Sequence, residues 1–287
     1  RPGADAVRIA QDRRREKRFF SDHGLPVGAF AVIERAEDLR KAPPTLFPGI
    51  LKTATLGYDG KGQQRVTSVE QALLAWMSMQ QAPCVLEALI PFEREISVLV
   101  ARDVNGNTAV WPVQENQHVG GILDLTIVPA RIDSARLAEA QDLARRLVVA
   151  LSYVGVLCVE MFVTADGLLL NEIAPRPHNS GHYTIEACVT SQFAQQARIL
   201  AGAPLGDTSL VQPAVMVNLL GDVWFDAAVP MQPAWQEVLA LPGAHLHLYG
   251  KAEARRARKM GHVTCTGATL DNALATAQRV KQILRIA

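Results

Sequence analysis

Short stretches of strictly alternating apolar and polar residues predict β-strands in this chain, and apolar residues that recur every three or four positions predict helices. The strongest strand signal is the pair of runs at 96–102 and 108–113, because they flank Asn105-Gly106, a favoured hairpin turn. The helical period is clearest at residues 69–79, 134–151, 184–201 and 270–286.

Two charged stretches show a weaker pattern of apolar and polar residues. Residues 6–23 predict one helix that ends at Gly24, with the charged run at 12–17 on its solvated face. Near the other end, residues 251–262 predict a basic loop. Gathering so many cations is unfavourable unless an anion binds there.

A second hairpin carries candidate chemistry. The apolar runs at 156–163 and 168–173 are separated by turn residues. If the loop centres on Asp166, Glu160 and Glu172 lie six positions on either side of it and face each other about 5 Å apart. Opposed carboxylates are destabilising unless a cation lies between them, and Mg²⁺ prefers oxygen ligands. The pattern therefore predicts a magnesium site.

The alternative is an ordinary solvated hairpin. A loop one residue longer or shorter would place Glu160 and Glu172 on opposite faces of the sheet, and both would then be unremarkable surface residues. The polar cluster that follows favours the metal site, because it is too polar for a packing element. Its members are Arg176, His178, Asn179, Ser180 and His182.

A glycine-rich stretch suggests a phosphate site. Residues 49–52 predict a strand that carries Lys52, and residues 57–63 contain three glycines. Backbone N–H groups of such a loop can surround an anion, and the lysine adds a positive charge. A flexible hairpin tip explains the same glycines without any ligand.

Composition narrows the partners and the compartment. The chain has 287 residues, of which 49% are hydrophobic and 20% charged, with a net charge of +1. These values are typical of a soluble globular protein and argue against nucleic acid or a membrane as partner. The four cysteines are widely spaced and form no CxxC pair, which indicates reduced thiols in a cytoplasmic protein. No apolar segment reaches the ~20 residues of a membrane span.

Four groups of motifs, taken together, resemble the ATP-grasp superfamily and, within it, the 5-(carboxyamino)imidazole ribonucleotide synthases of purine biosynthesis. The first is Lys52-Thr53 with residues 57–63, and the second is the sequence FEREIS at 92–97. The third is NEIAPR at 171–176 with HNSGH at 178–182, and the fourth is LYGK at 248–251 with RKMGH at 258–262. The resemblance extends from about Asp12 to the end of the chain.

This resemblance implies an α+β fold, namely an ATP-grasp fold of two α/β lobes with antiparallel sheets, plus a small β-rich C-terminal domain ending in a helix. We expect residues 1–27 to be a lead-in helix from a missing N-terminal domain and residues 28–88 to be the lid lobe. Residues 89–210 would form the second lobe with the metal site, and residues 211–287 the C-terminal domain. Family members normally begin with a Rossmann-like domain, which does not precede Arg1 in this sequence.

The resemblance also implies roles for individual residues on the ATP side. Arg13 and Lys52 would contact phosphates, and Glu95 would hold the ribose. The metal ligands would be Glu160 and Glu172. The phosphate loop would comprise Gly57, Tyr58, Asp59, Gly60, Lys61, Gly62 and Gln63; the adenine hinge Glu87, Ala88, Leu89 and Ile90; and further ATP-site positions His118, Asn171 and Glu172.

On the other side of the site, Asp59, Arg176 and Lys251 would form the catalytic set, with Asp59 facing the substrate amine. The nucleotide substrate would be held by Asp59, Arg176, His178, Asn179, Lys251 and Arg258. In the basic loop, this chain has Arg256-Ala257 before Arg258, where relatives tend to have Pro-Gly. That difference changes the stiffness of the loop.

The expected activity is an ATP- and bicarbonate-dependent carboxylation of 5-aminoimidazole ribonucleotide, with ATP and Mg²⁺ as cofactors, in a homodimer. Two alternatives remain open. One is another ATP-grasp ligase or carboxylase, which would share the ATP residues but not the wording at 179–182 and 249–251. The other is a nucleotide-binding module that lacks turnover because part of the substrate pocket is missing.

Overall fold

The structure, a computed structural model, describes residues 3–55, 57, 62–226 and 229–286. Its first part consists of two helices and a small sheet with two further helices. In chain order these are α1 (Ala4–Ala10), α2 (Arg13–Asp22), β1 (Phe30–Ile33), α3 (Ala36–Arg40), β2 (Gly49–Thr53), β3 (Gln63–Val66), α4 (Val69–Ser78) and β4 (Cys84–Ala88).

The rest of the described chain forms a large sheet and the helices that cover it. These elements are β5 (Arg94–Arg102), β6 (Thr108–Val110), β7 (Gln114–Val119), β8 (Ile122–Val128), α5 (Ser134–Ala150), β9 (Gly155–Thr164), β10 (Gly167–Ala174), α6 (Thr184–Ala187), α7 (Gln192–Leu200), β11 (Ala214–Leu220), β12 (Phe225–Asp226), β13 (Val229–Pro230), α8 (Trp235–Leu239), β14 (Ala244–Leu248), β15 (Lys259–Thr266) and α9 (Leu270–Ile283).

Antiparallel pairing builds both main sheets. The small sheet has the order β1-β4-β2-β3. The large sheet runs β10-β9-β5-β7-β8-β11-β15-β14, and β6 pairs with β5. The ladder of the large sheet continues from β8 to β11 across position 210, where the second lobe was expected to end. This pairing does not decide the four domain bounds expected from the sequence, which stay a prediction.

Alternating side chains give the large sheet two buried faces. On β5, Val98 packs with Leu147 of α5, whereas its neighbour Leu99 packs with Ile199 of α7 on the opposite face. Further along the same sheet, Val217 of β11 packs against α9. The small sheet packs against α3 and α4 around Leu39 and Trp76. No helix among the described residues is long and apolar enough to cross a bilayer.

Two predicted helices are each split in the structure. The helix expected at 6–23 breaks at Asp12, whose backbone is extended and whose carboxylate accepts a hydrogen bond from Arg14 N, so a new helix begins at Arg13. The helix expected at 184–201 breaks at Cys188, which is extended and bridges to Leu210. Capping and tertiary pairing outweigh the continuous helical period in both cases.

The basic loop expected at 251–262 is also shorter than predicted. Strand β15 begins at Lys259 and lies between β11 and β14, so Lys259 to His262 belong to the sheet. The charged and histidine side chains at the start of β15 interrupt the pattern by which strands are recognised, so this strand was not predicted. Strands β3, β7 and β8 were not predicted either, because their polar residues alternate weakly.

Stability of the large sheet should depend on the face covered by α5. Leu147→Ala removes a fully buried side chain from this core, and we expect it to lower the free energy of unfolding by about 2–5 kcal/mol. The neighbouring exposed Arg146→Ala should change it by less than about 0.5 kcal/mol. Urea unfolding of the two variants checks this, and equal losses would contradict the packing described.

Candidate active site

The hairpin of β9 and β10 brings Glu160 and Glu172 together, as expected, but by a different route. Thr164 pairs with Gly167, so the turn centres between Ala165 and Asp166 rather than on Asp166. That register alone would put Asn171 opposite Glu160. A bulge between Leu170 and Glu172 inserts one extra residue and restores the pairing of Glu172 with Glu160.

The two carboxylates differ in their surroundings. Burial and, next, the charge of Glu172 together raise the pKa of Glu160 to about 8. Glu172 is more exposed, and Arg13 Nη2 lies 3.5 Å from its Oε2. His178 Nε2 lies 3.5 Å from Oε1 of Glu160. A divalent cation between these oxygens would relieve their repulsion, so the donor set fits a hard metal ion.

Cys158 is a third potential ligand beside this pair. Its Sγ, one oxygen of Glu160 and one nitrogen of His178 all lie within 4.8 Å of one another. Burial raises the pKa of the Cys158 thiol well above its usual value. A protonated thiol is a poor ligand, which leaves the carboxylate oxygens as the better donors at this site.

A row of buried charges connects the small sheet to this hairpin. Lys52 Nζ lies 3.1 Å from Oε1 of Glu87, and Lys17 Nζ lies 3.1 Å from its Oε2. Burial opposes ionisation of Glu87, but the two lysines outweigh it and hold the pKa of Glu87 below its usual value. Lys17 also donates to the carbonyl oxygen of Asn171 at 2.8 Å.

The sequence did not single out Lys17 or its neighbour Glu16. Both are almost fully buried, although they lie in a run of charges that predicts a solvated face. Burial, with a smaller contribution from the charge of Glu172, raises the pKa of Glu16 to about 8. Residues 13, 16 and 17 share one face of a helix because they are three and four positions apart, and this spacing was the available signal, although nothing in the sequence marks that face as buried.

The residues expected at the adenine hinge and the ribose lie along one side of the site. Glu87 directs its carboxylate to the two lysines, and the amides of Ala88 and Leu89 donate to Ala29 O and Pro48 O. Ile90 follows directly after them. Their hinge role stays a prediction.

Glu95 and His118, both expected near ATP, form an ion pair across β5 and β7. His118 Nδ1 lies 2.7 Å from Glu95 Oε2. Burial disfavours the charged imidazole, yet the hydrogen bond and charge of Glu95 raise the pKa of His118 above its usual value.

Only part of the glycine-rich loop is described. Tyr58, Asp59, Gly60 and Lys61 lie outside the described residues. Gly62 has φ of +70°, and a β-carbon there would lie 2.6 Å from Thr53 Oγ1, so both backbone and space require glycine. Gln63 pairs with Lys52, which fixes the end of the loop beside that lysine.

Polar contacts hold the segment after β10 in place. His178 Nδ1 lies 2.9 Å from Ser180 Oγ, which in turn accepts from Ser97 Oγ of β5. Burial lowers the pKa of His178 to about 3, helped by the positive charge of Arg176. Gln192 Oε1 accepts from His178 N, and its Nε2 lies 3.0 Å from His182 Nδ1.

The remaining residues of the predicted substrate site make simpler contacts. Arg176 donates to the carbonyl of Pro177, and Asn179 Nδ2 contacts Met216 Sδ at 3.7 Å. The ammonium of Lys251 donates to the carbonyl of Lys259, and Arg258 donates to that of Glu253. Burial and then the charges of Arg258 and Lys259 lower the pKa of Lys251.

Lys259 links this basic segment to the carboxylates. Its charge lowers the pKa of Glu160, His178 and His182, which places all of them in one electrostatic environment. Sequence reasoning assigned Lys259 no role, because it appeared to lie in a loop.

Aromatic stacking joins β14 and β15 to the segment after β10. The ring of His262 lies 4.5 Å from that of His247 and 4.9 Å from that of His182. Tyr249 OH lies 3.0 Å from His262 Nδ1, and His247 Nε2 lies 2.6 Å from Glu186 Oε1. The stack connects β14 and β15 to the segment after β10.

Residues 18–193 match the ATP-grasp domain family, and residues 214–276 match the phosphoribosylaminoimidazole carboxylase C-terminal domain. The N5-carboxyaminoimidazole ribonucleotide synthase of Brucella melitensis is 46% identical over 92% of this chain and 72% of its own length. That of Bacillus subtilis is 42% identical over 91% of this chain and 68% of its own length.

The chain belongs to the N5-carboxyaminoimidazole ribonucleotide synthase family. The resemblance based on motifs and the predicted ATP-grasp fold are thereby confirmed. Solved members of the family superpose closely. An ADP complex of one synthetase matches with 44% identity and a TM-score of 0.90, over 99% of this chain and 74% of that one. A synthase from Aspergillus clavatus, solved with ADP and 5-aminoimidazole ribonucleotide, matches with 31% identity and the same TM-score, over 100% and 76%.

The histidine stack of this family member should make its stability depend on pH. His262 is 2% exposed, and burial, reinforced by His182 and His247, lowers its pKa to about 2. The unfolded chain has a histidine pKa of about 6.5, so lowering the pH below 6.5 protonates the unfolded state first and destabilises the fold. Between pH 7 and pH 5, protonation of this histidine in the unfolded chain should lower the free energy of unfolding by about 2 kcal/mol.

Urea unfolding at both pH values tests this expectation. His262→Asn keeps an acceptor for Tyr249 but does not titrate, so its loss of stability between pH 7 and pH 5 should be smaller by about 2 kcal/mol. An equal loss in the variant and the unmodified protein would show that His262 is not kept neutral by the fold.

Proposed function

We propose that this chain carboxylates 5-aminoimidazole ribonucleotide to 5-(carboxyamino)imidazole ribonucleotide, using ATP and bicarbonate, in purine biosynthesis. It acts as an ADP-forming carbon-nitrogen ligase. The observation that carries the proposal is the opposed pair Glu160 and Glu172, which the positive charges of Arg13 on α2 and Lys259 on β15 stabilise. Support comes from relatives solved with ADP, with ATP, and with ADP and 5-aminoimidazole ribonucleotide.

In the proposed reaction an oxygen of bicarbonate attacks the γ-phosphorus of ATP, and ADP leaves. The resulting carboxyphosphate separates into CO₂ and phosphate, and the exocyclic amine of the ribonucleotide attacks CO₂ and loses a proton. Phosphoryl transfer needs positioning and charge neutralisation more than covalent help from the protein. Bound Mg²⁺ would neutralise charge on the phosphates.

Each group of residues then has a defined task in the proposal. Arg13 and Lys52 bind the phosphates of ATP, while Glu160 and Glu172 hold Mg²⁺. Glu95 binds the ribose, and residues 57–63 cover the phosphates and exclude water from the labile intermediate. Asp59, which lies outside the described residues, faces the amine.

The nucleotide substrate occupies the opposite side of the site. Its phosphate is bound by cations, because guanidinium and ammonium groups suit that anion. The binding residues are Arg176, His178, Asn179, Lys251 and Arg258. The lowered pKa of His178 keeps its ring neutral, so it serves as a hydrogen-bonding group rather than a cation.

The proposal includes a cytoplasmic location and a homodimer. Four buried free cysteines agree with a reducing compartment. Size-exclusion chromatography with light scattering tests the dimer directly.

Loss of one metal ligand should stop turnover. Glu172→Gln removes a charge but little volume, so ADP formation should fall to background while the fold persists. The control is Asp166→Asn, which removes one charge from the turn of the same hairpin and should leave the rate unchanged. A coupled ADP assay checks both, and near-normal turnover of Glu172→Gln at saturating Mg²⁺ would rule out the assignment.

Lys251 should distinguish the two substrates. Losing one charge-assisted contact to phosphate costs about 1.5–3 kcal/mol, so Lys251→Ala should raise the KM for the ribonucleotide roughly ten- to a hundredfold. The KM for ATP should stay constant, and the effect should shrink as salt rises.

The matched control for Lys251 is Arg255→Ala. Arg255 is an exposed cation of the same loop that pairs with Glu253, so both KM values should remain near normal. If Lys251→Ala raised the KM for both substrates equally, the proposal that this loop binds the phosphate of the ribonucleotide would be wrong.

A further inference from the structure

Helix α2 contacts the backbone of the metal strand at its most irregular point. Glu16 Oε1 accepts a hydrogen bond from Ile173 N at 2.8 Å, and Lys17 Nζ donates to Asn171 O at 2.8 Å. On the same helix face, Arg13 Nη2 lies 3.5 Å from Glu172 Oε2. Three side chains of one helix thus contact three successive residues of β10.

The contacted segment is the bulge that aligns the carboxylates. Strand β10 ends the sheet order among the described strands, and beyond an isolated bridge between Leu170 and Val27 its outer backbone edge lacks a neighbouring strand. A bulge leaves one residue unpaired and disrupts the ladder locally. Side chains of α2 satisfy an N–H and a carbonyl at this edge, one on each side of Glu172.

The register between β9 and β10 at the bulge decides whether Glu160 and Glu172 face each other. Moving the extra residue away from Asn171 would return Asn171 to the position opposite Glu160 and turn Glu172 to the other face. The turn alone therefore does not align the two carboxylates; something has to hold the bulge where it is.

Burial shows that the contacts of Glu16 and Lys17 are specific. The two residues are 2% and 3% exposed, and buried charged groups are tolerated when each finds partners. Besides the Asn171 carbonyl, Lys17 contacts Glu87, which in turn contacts Lys52. The chain of contacts from Lys52 through Glu87 and Lys17 ends at the bulge.

We infer that Glu16 and Lys17 are positioning residues that hold the bulge at Asn171 and thereby keep Glu172 opposite Glu160 for divalent-cation binding. This inference rests on the proposed function, because it assumes that the two carboxylates bind the metal. Neither residue needs to touch the cation or the substrate.

Mn²⁺ binding in the presence of ADP, followed by electron paramagnetic resonance of the free ion, tests the inference without any turnover. Glu16→Ala removes the acceptor for Ile173 N and should raise the Kd for Mn²⁺ about ten- to a hundredfold, as is usual when support of a metal ligand is lost. Lys17→Met, which keeps the length of the side chain, should raise it similarly. Glu16→Gln retains an acceptor oxygen and should stay within about twofold of the unmodified protein.

The matched control is Arg14→Ala on the same helix. Arg14 bonds to Asp12 and Glu34, both outside β10, so its loss should leave the Kd for Mn²⁺ unchanged. An equal increase in Arg14→Ala would mean a general disturbance of α2 and would overturn the inference. If Glu16→Ala does not fold by circular dichroism, Glu16→Asp replaces it; the shorter carboxylate should raise the Kd at least about fivefold.

Failure of this inference can be separated from failure of the metal site. If Glu172→Gln leaves the Kd for Mn²⁺ unchanged, the proposed metal site itself is wrong. If Glu172→Gln abolishes binding while the folded Glu16 and Lys17 variants bind normally, the metal site stands and the positioning role is overturned.

Discussion

The repulsion between Glu160 and Glu172 is the constraint on which the rest of the site depends. Two carboxylates placed opposite each other in a partly buried hairpin destabilise it unless positive charge compensates them. The compensation in this chain comes from distant parts of the sequence, including Arg13 of α2 and Lys259 of β15. A pair of carboxylates held in this arrangement favours the binding of a cation.

A row of buried charges also connects the small sheet to the β9–β10 hairpin. Lys52 binds Glu87, and Glu87 binds Lys17, which reaches the bulge in β10. Because each buried charge in this row needs the charge next to it as a partner, a substitution at one end of the row disturbs the contacts at the other end. The row therefore connects the strand that carries Lys52 to the bulge that aligns Glu172 with Glu160.

Periodicity correctly predicted the elements whose formation depends on a single local signal. The hairpin at Asn105-Gly106 and helix α5 follow local turn chemistry and a regular apolar stripe. Local signals failed where tertiary contacts decide. The cap at Asp12 divides a helix, and Lys259 begins a central strand despite its charge.

Within the site, the facing of Glu160 and Glu172 was predicted correctly although the turn was placed half a residue too late, since the bulge compensates. Glu16 and Lys17 could not be recognised, because a charge run on a buried helix face looks the same in sequence as one in solvent. Individual roles came from the resemblance, and the contacts of Lys17 and Lys259 came only from the structure.

The most direct test of this account is a crystal structure with ADP and Mn²⁺, with the metal located by anomalous scattering. The account predicts a peak bound by oxygens of both Glu160 and Glu172 at about 2.1 Å, with the bulge at Asn171 retained. A peak bound by only one of these carboxylates, or located elsewhere, would contradict it.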